Sequence, residues 1–138
     1  MSLLACIAGG HANIGVAIIN PRAPENQEVF MLSYFHTERS DQKQRWRFSD
    51  DQARRSMEIA RYYDDLFKLC GVRRIIAELP HGGSPNSSAA SDLARASTVL
   101  VAVGEIHKVA FEWYSPDEVK KATTGKRTAS KDEMMEAI

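Results

Sequence analysis

No apolar run in these 138 residues approaches the ~18 that a membrane-crossing helix needs, so no span is expected. No basic stretch leads into a long apolar one near the start, so no signal peptide is expected and a cytoplasmic location is. Cysteine is scarce. Cys6 and Cys70 each lie in an apolar segment and are read as two buried thiols in a reducing compartment, not as a disulfide. An excess of charge is missing too: 18 Lys and Arg face 18 Asp and Glu. That balance excludes a strongly basic protein that coats DNA without specificity. Several catalytic signatures are absent. Gly125-Lys126 is no P-loop, because the upstream glycine is missing and Arg127 replaces Ser/Thr. No Cys/His spacing suits zinc, and no nucleophile-elbow motif presents a serine.

What is present suits one α/β domain. Hydrophobic residues make up 43% and charged residues 26%, and the length is enough to bury a core without staples. Leu3 to Ala8, Ile14 to Ile19 and Val29 to Phe35 read as strands joined by short breaks at Gly9-Gly10 and Asn20-Pro21, which suggests an antiparallel meander. The polar stretch from His36 to Arg47 reads as a loop. Ser49-Asp50-Asp51-Gln52 has the form of a capping box. Behind it Ala53, Met57, Ala60, Tyr63, Phe67 and Cys70 recur at helical spacing, up to a C-cap glycine at Gly71. Val72 to Leu79 reads as a strand, His81 to Ser88 as a Gly/Ser loop, Ala89 to Val103 as an alanine-rich core helix and Val109 to Tyr114 as a strand. Ser115-Pro116-Asp117-Glu118 and Ser130-Lys131-Asp132-Glu133 each start a short helix. The order β-β-β-α-β-α-β-α-α implies a mixed sheet with helices on both faces.

In such sheets, sites gather at the carboxyl ends of strands. Glu78 stands at the tip of the apolar strand Ile75-Ile76-Ala77. Burial there would be costly unless the carboxylate were paired or bound to a metal. Position alone leaves two readings open: a ligand, or a structural acid that pairs with a nearby arginine or caps a loop. If the first strand neighbours this one, His11 in the loop Gly9-Gly10-His11-Ala12-Asn13, together with His81, approaches Glu78 and could complete a Glu/His metal site. Basic charge is uneven. Lys120, Lys121, Lys126, Arg127 and Lys131 fall within thirteen residues that hold no acid, and Lys43, Arg45 and Arg47 alternate with Trp46 and Phe48. Either cluster could face phosphate, or be a solvated loop.

These pieces together resemble the RuvC-type Holliday-junction resolvases. The segment Tyr114-Ser115-Pro116-Asp117-Glu118-Val119-Lys120-Lys121, then Thr124-Gly125-Lys126 and Ala129-Ser130-Lys131, carries the most specific part of the likeness. The opening Ile7-Ala8-Gly9-Gly10 to Gly15-Val16-Ala17-Ile18 resembles the family's first strand and glycine turn, and Ile75-Ile76-Ala77-Glu78 its fourth strand. The match covers most of the chain, with a gap around residues 36–48.

The resemblance implies a ribonuclease-H-like fold with strand order 3-2-1-4-5. It implies a homodimeric endonuclease that uses Mg²⁺ (or Mn²⁺) to cut branched DNA, with carboxylates holding two metal ions. Glu78 matches the family's fourth-strand glutamate, and Lys120, Lys121 and Lys131 match basic positions near the DNA backbone. Two departures stand out. The family's first-strand aspartate falls at Ala8, and a methyl group binds no metal. The remaining family carboxylates belong to a helix that would follow Ile138, so residues 1–138 are expected to form one RuvC-like domain without that helix. The expectation is a nucleic-acid-binding relative of the resolvases that cleaves poorly or not at all. The alternatives are an active nuclease with an altered ligand set drawn from Glu78, His11 and His81, and an interaction module that kept only the fold and pairs through its alanine-rich helix.

Overall fold

The structure, a computed structural model, describes residues 2–40, 47–78 and 87–137. The elements run β1 (Leu3–Gly9), β2 (Asn13–Ile19), β3 (Val29–His36), α1 (Phe48–Cys70), β4 (Val72–Glu78), α2 (Ser87–Ile106), β5 (Ala110–Tyr114), α3 (Pro116–Thr124) and α4 (Lys131–Glu136). The sheet order is β3-β2-β1-β4-β5. The hairpin strands β1, β2 and β3 pair antiparallel, while β4 and β5 join them parallel. The expected topology is the one observed.

Strand side chains alternate between faces, so the apolar runs split into two sets. One set, including Ala5, Ile7, Val16, Ile18, Ile75 and Ala77, packs against Ile59, Tyr63, Leu66 and Phe67 of α1 and Leu100 and Val103 of α2. Both long helices therefore cover the same face. Gly104 lets α2 come close to the sheet: a Cβ there would stand 2.3 Å from the Phe111 ring. On the opposite face Val119 of α3 flanks one end of the sheet.

Three expectations are corrected. The Ser49 capping box does not form. Arg47 is the N-cap residue with no side-chain cap bond, so Ser49 already lies inside the first turn; Asp51, in the same turn, accepts from the Ser40 N–H at 3.1 Å and from Arg54. The buried stripe of α1 is not Ala53 and Met57, which are exposed, but Asp51, Gln52, Arg55, Ile59, Tyr63, Leu66 and Phe67. Its first turns bury polar groups, which a search for apolar residues overlooks. Cys6 and Cys70 are half-buried free thiols.

Candidate nucleic-acid site at the end of the sheet

The sheet face away from α1 and α2 is open. The pairing registers lay its side chains in rows. One row runs Leu32, Ala17, Cys6, Ile76, Glu112. The next, toward the carboxyl ends of β1 and β4, runs Tyr34, Gly15, Ala8, Glu78, Tyr114. Small side chains form the floor and large ones the flanks, giving an open trough of about 540 Å³ closed at one side by Val119.

Glu78 is exposed at the end of β4, level with Tyr114 of β5. The desolvation cost expected for a carboxylate at this strand tip therefore does not arise. Among the described residues it has no hydrogen-bond or ion-pair partner; the arginine nearest in its strand, Arg74, pairs instead with Glu112. Beside Glu78 on β1 comes Ala8, one residue past the Ile7–Ala77 pair. A two-metal centre needs several oxygen ligands converging on each ion. Here the row offers one carboxylate with a methyl, a glycine and two phenols. Among the described residues no group of three His, Cys, Asp or Glu could hold a metal ion. The described residues do not fit a two-metal centre.

His11 lies elsewhere in the packing than a Glu78 ligand would. It is 2% exposed, in the turn after β1. Its Nε2 is 3.1 Å from Ser56 Oγ of α1, and its Nδ1 stands 4.0 Å from Asp92 of α2. Burial, with help from the Arg55 charge, pushes its pKa below the ordinary histidine value. Its backbone carbonyl accepts from Thr37 Oγ1 at 2.6 Å, and Thr37 Oγ1 accepts from the fully buried Arg55 Nε at 3.0 Å. This network ties the β1–β2 turn to α1 and to the segment after β3. Ser56, His11 and Asp92 follow the order of a hydrolytic triad. Ser56, however, sits in the middle of α1, where no helix-end N–H is free to stabilise an oxyanion. His81, Lys43, Arg45 and Trp46 lie outside the described residues.

The basic segment follows β5. α3 begins with the expected capping box: Glu118 N–H donates to Ser115 Oγ, and Ser115 N–H donates to the Glu118 carboxylate. α4 repeats the device with Ser130 and Glu133. Lys121, Lys126, Arg127 and Lys131 are exposed and Lys120 is half-exposed. None of the five is within ion-pair distance of an acid among the described residues. The structure thus presents five cations outside ion pairs among the described residues, on α3, the loop after it and the first residue of α4, in the segment that follows the strand flanking Glu78.

No protein-family model matches the sequence, and neither does any curated protein. Solved structures do match the fold. Thermus thermophilus RuvC in complex with a Holliday junction substrate superposes with a TM-score of 0.78 at 15% identity, over 100% of this chain and 78% of that one. The yeast mitochondrial Holliday junction resolvase Ydc2 gives a TM-score of 0.55 at 13% identity, over 99% of this chain and 75% of that one. An Aquifex aeolicus Ppx/GppA phosphatase gives 0.50 at 13% identity, over 90% and 39%. The fold is ribonuclease-H-like, as the resemblance implied. The same architecture hosts a phosphatase, so the fold does not fix the chemistry.

Sequence reasoning missed Thr37, Ser56, Arg55 and Asp92. Arg55, Ser56 and Asp92 are polar residues within α1 and α2, a pattern that solvated helix faces share, and Thr37, just after β3, carries no signal of its own.

Proposed function

We propose that this chain is a nucleic-acid-binding domain of the junction-resolvase type that does not cut DNA by itself. The observation that carries the reading is the pairing of Ala8 with Glu78 at the strand ends: the framework of a nuclease site is kept while its chemistry is reduced to one carboxylate. The five cations of residues 120–131 supply the contacts to phosphate. Branched DNA is the favoured ligand, because the fold neighbour with the TM-score of 0.78 is itself bound to a Holliday junction.

The test is binding to a four-way junction, a fork and a duplex across a salt series. Affinity for the junction is expected to exceed that for the duplex and to fall steeply with salt. Lys120→Ala with Lys121→Ala is expected to lower the salt slope by about 2, roughly one for each phosphate contact removed. No binding at low salt overturns the proposal. Mg²⁺-dependent cleavage that survives Glu78→Ala, in protein purified free of other nucleases, overturns its inactive half and moves catalysis away from this row.

A further inference from the structure

We infer that the trough beside Glu78 receives one unpaired guanine base, with the base's Watson–Crick edge on the Glu78 carboxylate. This rests on the nucleic-acid reading proposed above and names the group that the site takes. The trough floor is small and apolar: Ala17 and Cys6 in one row, Gly15 and Ala8 in the next. β3 and β4, whose side chains wall it, lie three strand spacings apart, about 14 Å. A flat ring can lie on such a floor, and about 540 Å³ is the size of a small-molecule site.

Hydrogen-bond polarity decides which ring. Glu78 is exposed and without a partner among the described residues, and an ionised carboxylate only accepts. The two phenols of its row already donate, Tyr114 to Glu112 at 3.0 Å and Tyr34 to Asn13 Oδ1 at 2.6 Å. Ser33 also lines the trough, but its hydroxyl lies against Tyr62 of α1 at 2.7 Å. Among the described residues the lining side chains therefore offer acceptors and a thiol, and no N–H. A phosphate placed here would meet a like charge and no strong donor. Outside the trough the sign reverses. Val119 of α3 reaches it, and Lys120, Lys121, Lys126, Arg127 and Lys131 follow in the chain. An acceptor inside and cations beyond the rim suit a flat ring with N–H donors inward and its phosphate outward, which is a nucleotide. Guanine matches the carboxylate best. Its N1–H and N2–H₂ donate side by side, one to each oxygen. Adenine and cytosine carry an acceptor next to the amino group, and thymine sets its one N–H between two carbonyls. Pairing in a duplex occupies this edge, so the base is one that has left its pair.

The test uses the full chain and a labelled thymine strand whose central base is guanine, hypoxanthine or adenine, with affinity read by fluorescence anisotropy at one salt concentration. Hypoxanthine is guanine without the 2-amino group. The guanine strand is expected to bind about tenfold tighter than the other two, the size of one bidentate contact to a base. Glu78→Gln is expected to remove that preference. Ala17→Leu, which fills the floor from the open face, is expected to do the same while keeping the circular dichroism of the parent. Lys120→Ala with Lys121→Ala is expected to weaken all three strands alike and keep the preference. Guanosine monophosphate is expected to displace the strand only in large excess; an affinity equal to the strand's overturns the strand as the source of the base in favour of a free nucleotide. Equal affinity of the parent for the three strands overturns the inference and leaves the nucleic-acid reading standing. So does a preference that survives Glu78→Gln and Ala17→Leu, which puts the base elsewhere. Benzylamine competing as well as guanosine monophosphate overturns it too, because positive charge alone then suffices. No binding of any strand or junction overturns the nucleic-acid reading and the inference together.

Discussion

Ala8 and Glu78 stand side by side on neighbouring parallel strands, one residue beyond the Ile7–Ala77 pair. Both side chains lie on the open face, and both residues are exposed. The row carries one carboxylate and one methyl at this point.

Ala8→Asp would restore a second carboxylate beside the first. Ala8 touches open trough and not packed core, so the fold is expected to tolerate the change. Two adjacent carboxylates attract divalent cations and repel each other without them. Titration calorimetry with Mn²⁺ is expected to show binding to the variant and none to the parent. Equal behaviour of the two proteins would mean that Glu78 does not reach toward residue 8.

Thr37→Val tests the buried network. The substitution keeps the shape but takes the acceptor from Arg55 Nε, whose guanidinium is 2% exposed and already has Nη1 without a partner. It also removes the donor to His11 O. Leaving buried polar groups unpaired costs about 1–3 kcal/mol, more when the group is charged. Urea unfolding is expected to show a loss of about 3 kcal/mol. A change below about 0.5 kcal/mol would mean that water replaces the hydroxyl without penalty.

Gly104→Ala sets two effects against each other. Alanine in a helix interior is favoured over glycine by about 1 kcal/mol. The new methyl would overlap Phe111, which is stacked on Trp113 at 5.6 Å between centroids, and overpacking costs about 1–3 kcal/mol. The ring cannot yield without disturbing the stack, so the variant is expected to melt lower than the parent. A raised melting temperature would show that the ring moves freely.

The depressed pKa of His11 links stability to pH. Its folded value lies below the unfolded one, near 6.5, so between the two the unfolded chain binds more protons. Stability from this group is complete above about pH 6.5 and is lost as pH falls through that value toward the folded pKa, with a slope of at most about 1.4 kcal/mol per pH unit. Comparing the parent with His11→Asn isolates the term. The difference between their unfolding free energies is expected to shrink from pH 7 to pH 5; a constant difference would mean that the ring titrates normally in the folded state.

All nine described elements were legible, because apolar runs, glycine breaks and two Ser-x-x-Glu boxes carry local signals; the sheet order followed from the family resemblance and not from any local signal. Gly71 was read as a C-cap and has the left-handed backbone that role requires, φ 61°. The start of α1 was misread because the helix begins earlier than Ser49, at Arg47, which makes no side-chain cap bond that a sequence pattern could mark. Glu78 was located by its strand, but its exposure could not be foreseen, since that depends on what covers the face. His11 was singled out as a ligand because the strand before it was expected to run beside the strand of Glu78, as β1 and β4 do. Its ring instead turns under the sheet end toward Ser56, a residue 45 positions away.

α3 and α4 have no buried residues, and each is held by its own capping box. Between them only Ala129 is fully buried. The cationic segment is therefore anchored through β5 at its start, through Val119 at the trough and through Ala129 beyond it, with most of its surface left to solvent; a larger side chain at position 129 would disturb that anchor while the core of the sheet stays packed.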